Sequence, residues 1–574
     1  MFEITLIFTT ALGLAWLLGS YMTGIFSGQS HFSDRLFNPI EKWVYRAIGV
    51  NANSGMTWKS YGAAFLISNL VLGILAFLIL KFQHLLPLNP DGIGPLSWDL
   101  ALHTAVSFLT NTNQQHYSGQ AQLSYLSQGF LIVTLQFVTP AMALAVCVAI
   151  LRGMLGGLNN DSAKEGEARN LGNYYVDLVR GVLRLMLPLA AIVALLLTWQ
   201  GVPSSFDGAQ KVNTLDSASP ITEQIVPIGP VASMVAIKQL GTNGGGWYGP
   251  NSSNPLENPT PVSNAIETIA LVLIPMAVVF MAGGMLRRKK FTLMALVAMG
   301  LLSVSFLGAT VYSELQPNAA FAGLSAQGPN MEGKEVRFGP ELSALWASFT
   351  TQTSNGSVNA MHDSFNPIGG LMTRSGMLLN AIWGGIGCGF VNFIVYVWIA
   401  VFLSGLMIGR TPEIFGRKLE TREITLLGSL LVLPTLCVLG LTAITVAIPS
   451  ITGNSNPGFH GISQVFYEYT SAFANNGSGF EGLGDNTPWW NISCVIALLL
   501  GRYLPLFLPL AIAGMMSSKR VSPDSNASLK LESPTFCFTL IAVILIINFL
   551  SFLPAAVLGP IGEALQLATM SLEK

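Results

Sequence analysis

Charge is what this sequence has least of. Asp, Glu, Lys and Arg make up 10% of its 574 residues, against about 25% in an ordinary soluble chain. With 51% hydrophobic residues and a mean hydropathy of +0.55, that scarcity excludes a soluble globule and indicates an integral membrane protein. The net charge of -1 includes no long run of one sign, so nothing points to nucleic acid or to an acidic partner. Cysteine is sparse as well. Cys147, Cys388, Cys437, Cys494 and Cys537 stand singly in apolar segments without C-x-x-C spacing, which suggests neither a disulfide framework nor a zinc site. They read as small buried apolar residues. There is no G-x-x-x-x-G-K-[ST] phosphate loop, no D-K-T-G-T stretch of the phosphorylated ion pumps and no H-E-x-x-H pair. Lacking a candidate nucleophile, the chain is not expected to be catalytic alone, and a membrane enzyme or assembly scaffold is disfavoured. Basic residues are also missing before the first apolar run, which follows acidic Glu3, so no cleaved leader is expected.

Long apolar runs are what the sequence has in quantity. A helix crossing a bilayer core of about 30 Å needs about 20 apolar residues. Ten segments qualify, near 4–24, 61–83, 126–151, 178–199, 264–286, 291–313, 377–408, 424–448, 490–516 and 535–558. We expect an all-α membrane protein with an N-terminal helix and loop (1–60), four repeats (61–152, 178–286, 291–408 and 424–516) and a C-terminal helix (535–574). Basic residues gather on the cytoplasmic side of short loops. Outside the spans, 18 Lys and Arg fall on one side, among them Arg35, Lys164, the run Arg287 to Lys290 and Lys519; 7 fall on the other, among them Lys81, Lys238, Arg374 and Lys574. Both termini are therefore expected outside, on the basic-poor side. The polar segments 202–227 and 315–337 read as outer decoration.

A three-residue theme recurs on that same side. Gly241-Thr242-Asn243-Gly244-Gly245-Gly246 holds a small polar residue, Asn and Gly; Ser354-Asn355-Gly356 and Asn475-Asn476-Gly477 repeat it, and Asn111-Thr112-Asn113 does so with Asn in place of Gly. Four copies in corresponding loops are an internal repeat. A backbone that turns its carbonyls inward needs residues tolerant of unusual φ and ψ, as Gly is and Asn partly is. Four such segments around one axis are how a dehydrated monovalent cation is held. The expectation is a potassium-selective pore built by one chain, pseudo-four-fold as in a potassium channel.

Each copy follows a helix-start signal: Ser97 with Asp99, Gly229-Pro230, Gly339-Pro340-Glu341 and Ser463. The helices so begun would be about 20 Å long, too short to cross the core. We expect four re-entrant helices whose partial negative ends meet at the motifs and favour a cation there. The competing readings are surface helices of outer domains and, for the motifs, ordinary turn chemistry.

At these loops the sequence resembles the KdpA family, the potassium-binding subunits of Kdp-type potassium-transporting ATPases. The resembling stretches are WDLALHTAVSFLTNTN from Trp98, GPVASMVAIKQLGTNGGG from Gly229 on through NPLENPTP, and NMEGKEVRFG from Asn330; AMHDSF from Ala360, GLMIGRTPE from Gly405 and SAFANNGS from Ser471 complete the set. The resemblance implies the potassium-transporter superfamily fold of the Trk, Ktr and HKT proteins. It also implies a place in a bacterial inner-membrane pump, with potassium as transported substrate and no cofactor. Implied partners are the ATP-hydrolysing KdpB subunit and KdpC, with the small KdpF peptide a further candidate, and a tunnel leading from the filter toward the ATPase. The implied filter residues are Asn111, Thr112, Asn113 and Gln115; Thr242, Asn243 and Gly244; Ser354, Asn355 and Gly356; Asn475, Asn476 and Gly477. Two positions depart from the family pattern. Gln114 stands where the family has an aromatic and is expected to loosen packing, and Asn355 stands where the third loop often has Cys. An autonomous Trk-like or Ktr-like channel or symporter is the alternative, against which the ten spans and the GRTPE loop from Gly409 speak.

Arg502, inside the ninth span, is either a barrier or gate below the filter or a structural, snorkelling charge. The seventh span is too long for one straight helix and contains Gly385 and Gly387 in a glycine cluster. It is expected to bend or loop beneath the filter as a gate, unless the glycines serve only close packing. Arg410, Arg417, Lys418 and Arg422 read first as topology markers and second as a docking patch. His362 and Asp363 are expected at the outer mouth, Asp363 exposed and solvated.

Overall fold

The computed structural model describes residues 1–158, 167–215, 220–321, 328–522 and 530–572; Lys164 and Lys574 of the orientation argument lie outside the described residues. Among the described residues ten helices are long and apolar enough to cross a membrane, and the chain is an integral multi-pass membrane protein. It opens with α1 (Phe2–Phe26) and a short helix, α2 (Asp34–Ala47). The first repeat is α3 (Trp58–Lys81), α4 (Trp98–Leu109) and α5 (Leu126–Leu155); the second is α6 (Tyr174–Trp199), α7 (Val231–Leu240) and α8 (Pro261–Leu286). The third comprises α9 (Lys289–Glu314), α10 (Gly339–Gln352), α11 (Pro367–Leu379) and α12 (Cys388–Met407), and the fourth α13 (Thr421–Ala447), α14 (Gly458–Phe473) and α15 (Pro488–Ser517). Two helices, α16 (Pro534–Ala556) and α17 (Gly562–Leu572), close the chain across a kink at Gly559.

The protein is apolar outside and polar at its centre. Leu17, Leu70, Leu195, Val304, Leu436 and Phe549 are exposed on the spans, where lipid tails replace water. By contrast α4 buries His103, Thr104 and Ser107, and α10 buries Ser348, Thr350 and Thr351. A helix with a polar buried side and no solvent must find its partners within the protein, and these short helices find them in the loops that follow. Ser97 caps α4 by accepting from Leu100 N, as its spacing predicts. The fourth re-entrant helix starts at Gly458 rather than Ser463, because Gly458, at φ +71, makes the turn that admits the extra residues.

α1 docks on α8 through Ala11, Ala15 and Gly19, a fully buried stripe at i, i+4 spacing. A Cβ on Gly19 would come within 2.5 Å of Phe280 Cβ; the missing side chain is what lets the backbones meet. As expected, the 377–408 segment is broken: α11 and α12 are separated by residues 380–387, which are irregular. Two features depart from expectation. The 202–227 loop folds back as a hairpin of β1 (Gln210–Asn213) and β2 (Glu223–Val226). The loop after α1 contains α2, which exposes Leu36, Ile40 and Trp43 and turns Asp34 and Glu41 toward Arg184 of α6. That contact explains how an apolar span tolerates an arginine: its charge is paired and buried, not snorkelled.

Candidate cation pathway

The four loops after α4, α7, α10 and α14 share one backbone conformation. The first and third residues of each motif lie in the left-handed region: Asn111 and Asn113 at φ +60 and +54, Thr242 and Gly244 at +47 and +75, Ser354 and Gly356 at +50 and +92, Asn475 and Gly477 at +53 and +102. Between them the middle residue does not. Alternating hands turns successive carbonyls to the same side instead of opposite sides, the arrangement a carbonyl-lined filter requires. Each middle N–H donates back to its own re-entrant helix: Thr112 to Ser107, Asn243 to Lys238, Asn355 to Thr350 and Asn476 to Ser471, at 2.9 to 3.0 Å.

Contacts between loops close a ring. A Cβ on Gly244 would lie 2.0 Å from the Asn355 carbonyl oxygen, one on Gly356 1.9 Å from that of Asn476, and one on Gly477 2.1 Å from that of Thr112. The remaining junction is made by amides: Asn111 Nδ2 donates to Thr242 O and Asn113 Nδ2 to Gly244 O, both at 3.0 Å. Every third-position glycine thus makes room for a neighbour's carbonyl. Asn113 alone keeps a side chain there and turns it into a donor. The middle-residue amides brace the ring from behind, Asn355 donating to Lys238 O at 3.1 Å and Asn476 to Thr350 O at 2.8 Å.

On one side the ring opens to a vestibule of about 840 Å³ lined by Gln115, Gly245, Gly356 and Gly477, with Glu468, Glu481 and Asp485 on its wall. Gln115 spans from the first loop to the second, donating to Gly246 O and accepting from Gly246 N. On the other side Asn111, Ser354 and Asn475 face a chamber of about 10 Å³, room for roughly one water. First-position Asn111, Ser354 and Asn475 therefore face the chamber, and third-position Gly356 and Gly477 the vestibule. Asn380, Asn392, Ala474, Gly501 and Pro505 are shared between this chamber and a second, mostly apolar cavity of about 80 Å³ that extends sideways toward Leu430, Val438 and Phe552.

Arg502 lines the chamber. It is 4% exposed, donates to Thr139 O at 3.1 Å and approaches Cys388 Sγ at 3.4 Å, so it does not snorkel. Gly385 also lines the chamber, and the adjoining Ile386 N donates to Thr242 Oγ1 at 3.2 Å. Gly387, at φ +79, lies against the backbone of α5, where a Cβ would come within 2.8 Å of Ala143 O. The irregular loop and the close packing that were alternatives in the sequence are both present.

Residues 5–565 match the family described as "KdpA: Potassium-transporting ATPase A subunit". The chain belongs to the KdpA family. It is 46% identical over 554 residues to a "Potassium-transporting ATPase potassium-binding subunit" of Gloeobacter violaceus, covering 95% of this chain and 94% of that one. It is 44% identical to the subunit of the same description from Geobacillus kaustophilus, over 98% of this chain and 99% of the relative. Among solved structures, the potassium transporter TrkH from Vibrio parahaemolyticus aligns with a TM-score of 0.51 over 89% of this chain and 98% of its own, at 13% identity. That likeness is one of fold. The fold of this KdpA chain is accordingly ten transmembrane helices with four helix, pore loop, helix repeats about a pseudo-four-fold axis.

Several expectations are corrected by the side chains. Gln114 does not loosen the mouth: it is 2% exposed, its amide donates to Glu468 and its oxygen meets His103 Nε2 at 3.3 Å. Asp363 is not solvated but 9% exposed, accepting from Gln464 Nε2 and held by His460 Nε2, both at 2.9 Å. Arg417 is buried and caps two spans, donating to Leu155 O of α5 at 3.1 Å and, beyond the end of α15, to Lys519 O at 2.7 Å. Lys238 occupies the place that Ser107, Thr350 and Ser471 hold in the other loops and is fully buried against Glu257. Sequence reasoning also missed the group behind the first and fourth loops, His103, His116 and Glu468. Burial alone would depress the His116 imidazole, but the Asp485 and Glu468 carboxylates outweigh it and raise it to about 8.

Proposed function

We propose that this chain binds potassium ions in the ring and passes them to a partner ATPase subunit, as part of a high-affinity, ATP-driven uptake pump. The closed ring of four loops, with three glycines each making room for a neighbour's carbonyl, is the observation that carries the reading. Oxygen cages of this kind replace the hydration shell of a monovalent cation. The vestibule carries Glu468 and Asp485, carboxylates that concentrate cations at its mouth. The basic-poor loops carry the ring, so the vestibule and both termini face outward from a bacterial inner membrane. Below the ring the ion meets Arg502, whose fixed charge opposes passage straight through, while the apolar cavity offers a sideways exit. Gly385 and Gly387 hold the loop that frames this turn and act as its gate. The partners that fit are the KdpB hydrolase and KdpC, with the KdpF peptide a further candidate. The potassium ion is substrate, and the chain itself supplies no catalytic group.

Purification from native membranes tests the assignment. Co-elution with an ATP-hydrolysing subunit whose activity rises with potassium supports it, and Gly244→Asp should abolish uptake at micromolar potassium. Unchanged uptake by that variant removes Gly244 from the pathway. The fold likeness to TrkH favours a second reading, an autonomous pore; a stable homodimer free of any ATPase would establish that one instead.

A further inference from the structure

Behind the first and fourth loops, lone-pair donors from three parts of the chain converge. A ring nitrogen of His116, a carboxylate oxygen of Glu468 and Cys494 Sγ all lie within 4.8 Å of one another, and all three residues are buried. Asp485 adds a carboxylate oxygen 3.9 Å from His116 Nε2, and its side chain is 29% exposed toward the vestibule. The cluster has capacity to spare: His116 Nε2 and Glu468 Oε2 are buried without hydrogen-bond partners.

The imidazole is also aimed. Asn491 Nδ2 donates to Asp99 Oδ2 at 2.9 Å, which fixes its amide so that Oδ1 meets His116 Nδ1 at 2.7 Å. An amide oxygen only accepts, so Nδ1 carries a proton and Nε2 is the nitrogen turned toward Glu468. Outer hydrogen bonds of this kind orient ligating histidines.

We propose that His116, Glu468 and Cys494, with Asp485 on the open side, form a binding site for one divalent cation of the zinc class. Imidazole, thiolate and carboxylate together suit zinc, whereas potassium sites use oxygen alone. Ligand atoms around a tetrahedral zinc lie about 3.5 Å apart, so the cluster needs to contract by about 1 Å. His116 Nε2 and Glu468 Oε1 are already 3.4 Å apart. Binding forms the metal–sulfur bond as the Cys494 thiol proton leaves to water in the vestibule, and any proton on His116 Nε2 leaves with it. Residues 116, 468 and 494 lie on separate elements, so no C-x-x-C spacing announces the site. Glu468 also receives the Gln114 amide, so seating a metal there reaches the first pore loop. We expect bound zinc to slow ion entry, an effect that rests on the potassium reading, whereas the site does not.

The test is zinc chloride titrated into the purified intact complex by calorimetry, with zinc-edge absorption on the loaded protein. One zinc per chain is expected, with one sulfur neighbour at about 2.3 Å. Cys494→Ser should remove the sulfur signal, and Cys494→Ser and Glu468→Gln should each weaken binding more than about tenfold, while Cys537→Ser, on α16, changes neither. Elution and melting profiles identify a variant that fails to fold, in which case the other decides. No zinc on the wild type, or zinc bound equally by the folded variants, overturns the site. Because binding is read without transport, a zinc site in a complex that moves no potassium would sink only the function above.

Discussion

The Cβ that Gly477 lacks would sit 2.1 Å from the carbonyl oxygen of Thr112. The two residues belong to the last and first pore loops, so this one close approach joins the ends of the repeat array. Gly477 also stands at φ +102, a conformation that costs other residues of order 1 to 3 kcal/mol.

Gly477→Ala should therefore push the Thr112 oxygen off its place. We expect potassium uptake at micromolar concentration to fall by at least about tenfold, each tenfold step being about 1.4 kcal/mol of lost ion binding. Isotope uptake by the reconstituted complex measures this; wild-type uptake would mean that the ring tolerates a moved carbonyl.

Lys238 and Glu257 form a fully buried pair beside the second loop. Lys238→Met strands the Glu257 charge and should destabilise by about 3 to 5 kcal/mol, whereas Lys238→Met with Glu257→Gln should recover most of the loss. Thermal melting of the two variants distinguishes an ion pair from mere packing: equal midpoints would show that the charges are not coupled.

His460 is held by Asp363 and Glu563 at 2.9 and 2.8 Å. Burial lowers its pKa, but those two hydrogen bonds more than offset this and raise it to about 9 from an ordinary value of 6.5. A raised histidine contributes stability that is complete below 6.5 and is lost as pH rises through about 9. Melting temperature should fall across that window in the wild type and fall less in His460→Gln. Parallel curves for the two proteins would refute the assignment.

Arg417→Ala leaves helix-end carbonyls of α5 and α15 without their donor. A cost of about 2 to 3 kcal/mol in stability is expected, with transport by the surviving folded protein near normal. Lost transport at unchanged melting temperature would instead return Arg417 to a docking role.

The ten spans were legible because apolar length is a local property, and the four loops because Gly and Asn recur where a left-handed backbone requires them. Asn355 and Asn476 were visible as residues, but their amides reach back to Lys238 and Thr350 of another repeat, which a linear reading cannot show. Gln114 was misjudged for the same reason: its partner Glu468 is distant in sequence. The start of α14 was misplaced because Gly458 reads as a breaker, yet at φ +71 it opens the helix. Asp363 was taken as solvated from its charge and Arg417 as a topology marker or docking residue, and only the folded chain supplies the groups that bury them.

Three corners of the ring carry glycine and the fourth carries Asn113. A pore assembled from four identical copies changes all its corners with every mutation. Here a single codon alters one quarter, so ion preference can drift in small steps, each open to selection before the next, and the ring need never become symmetric.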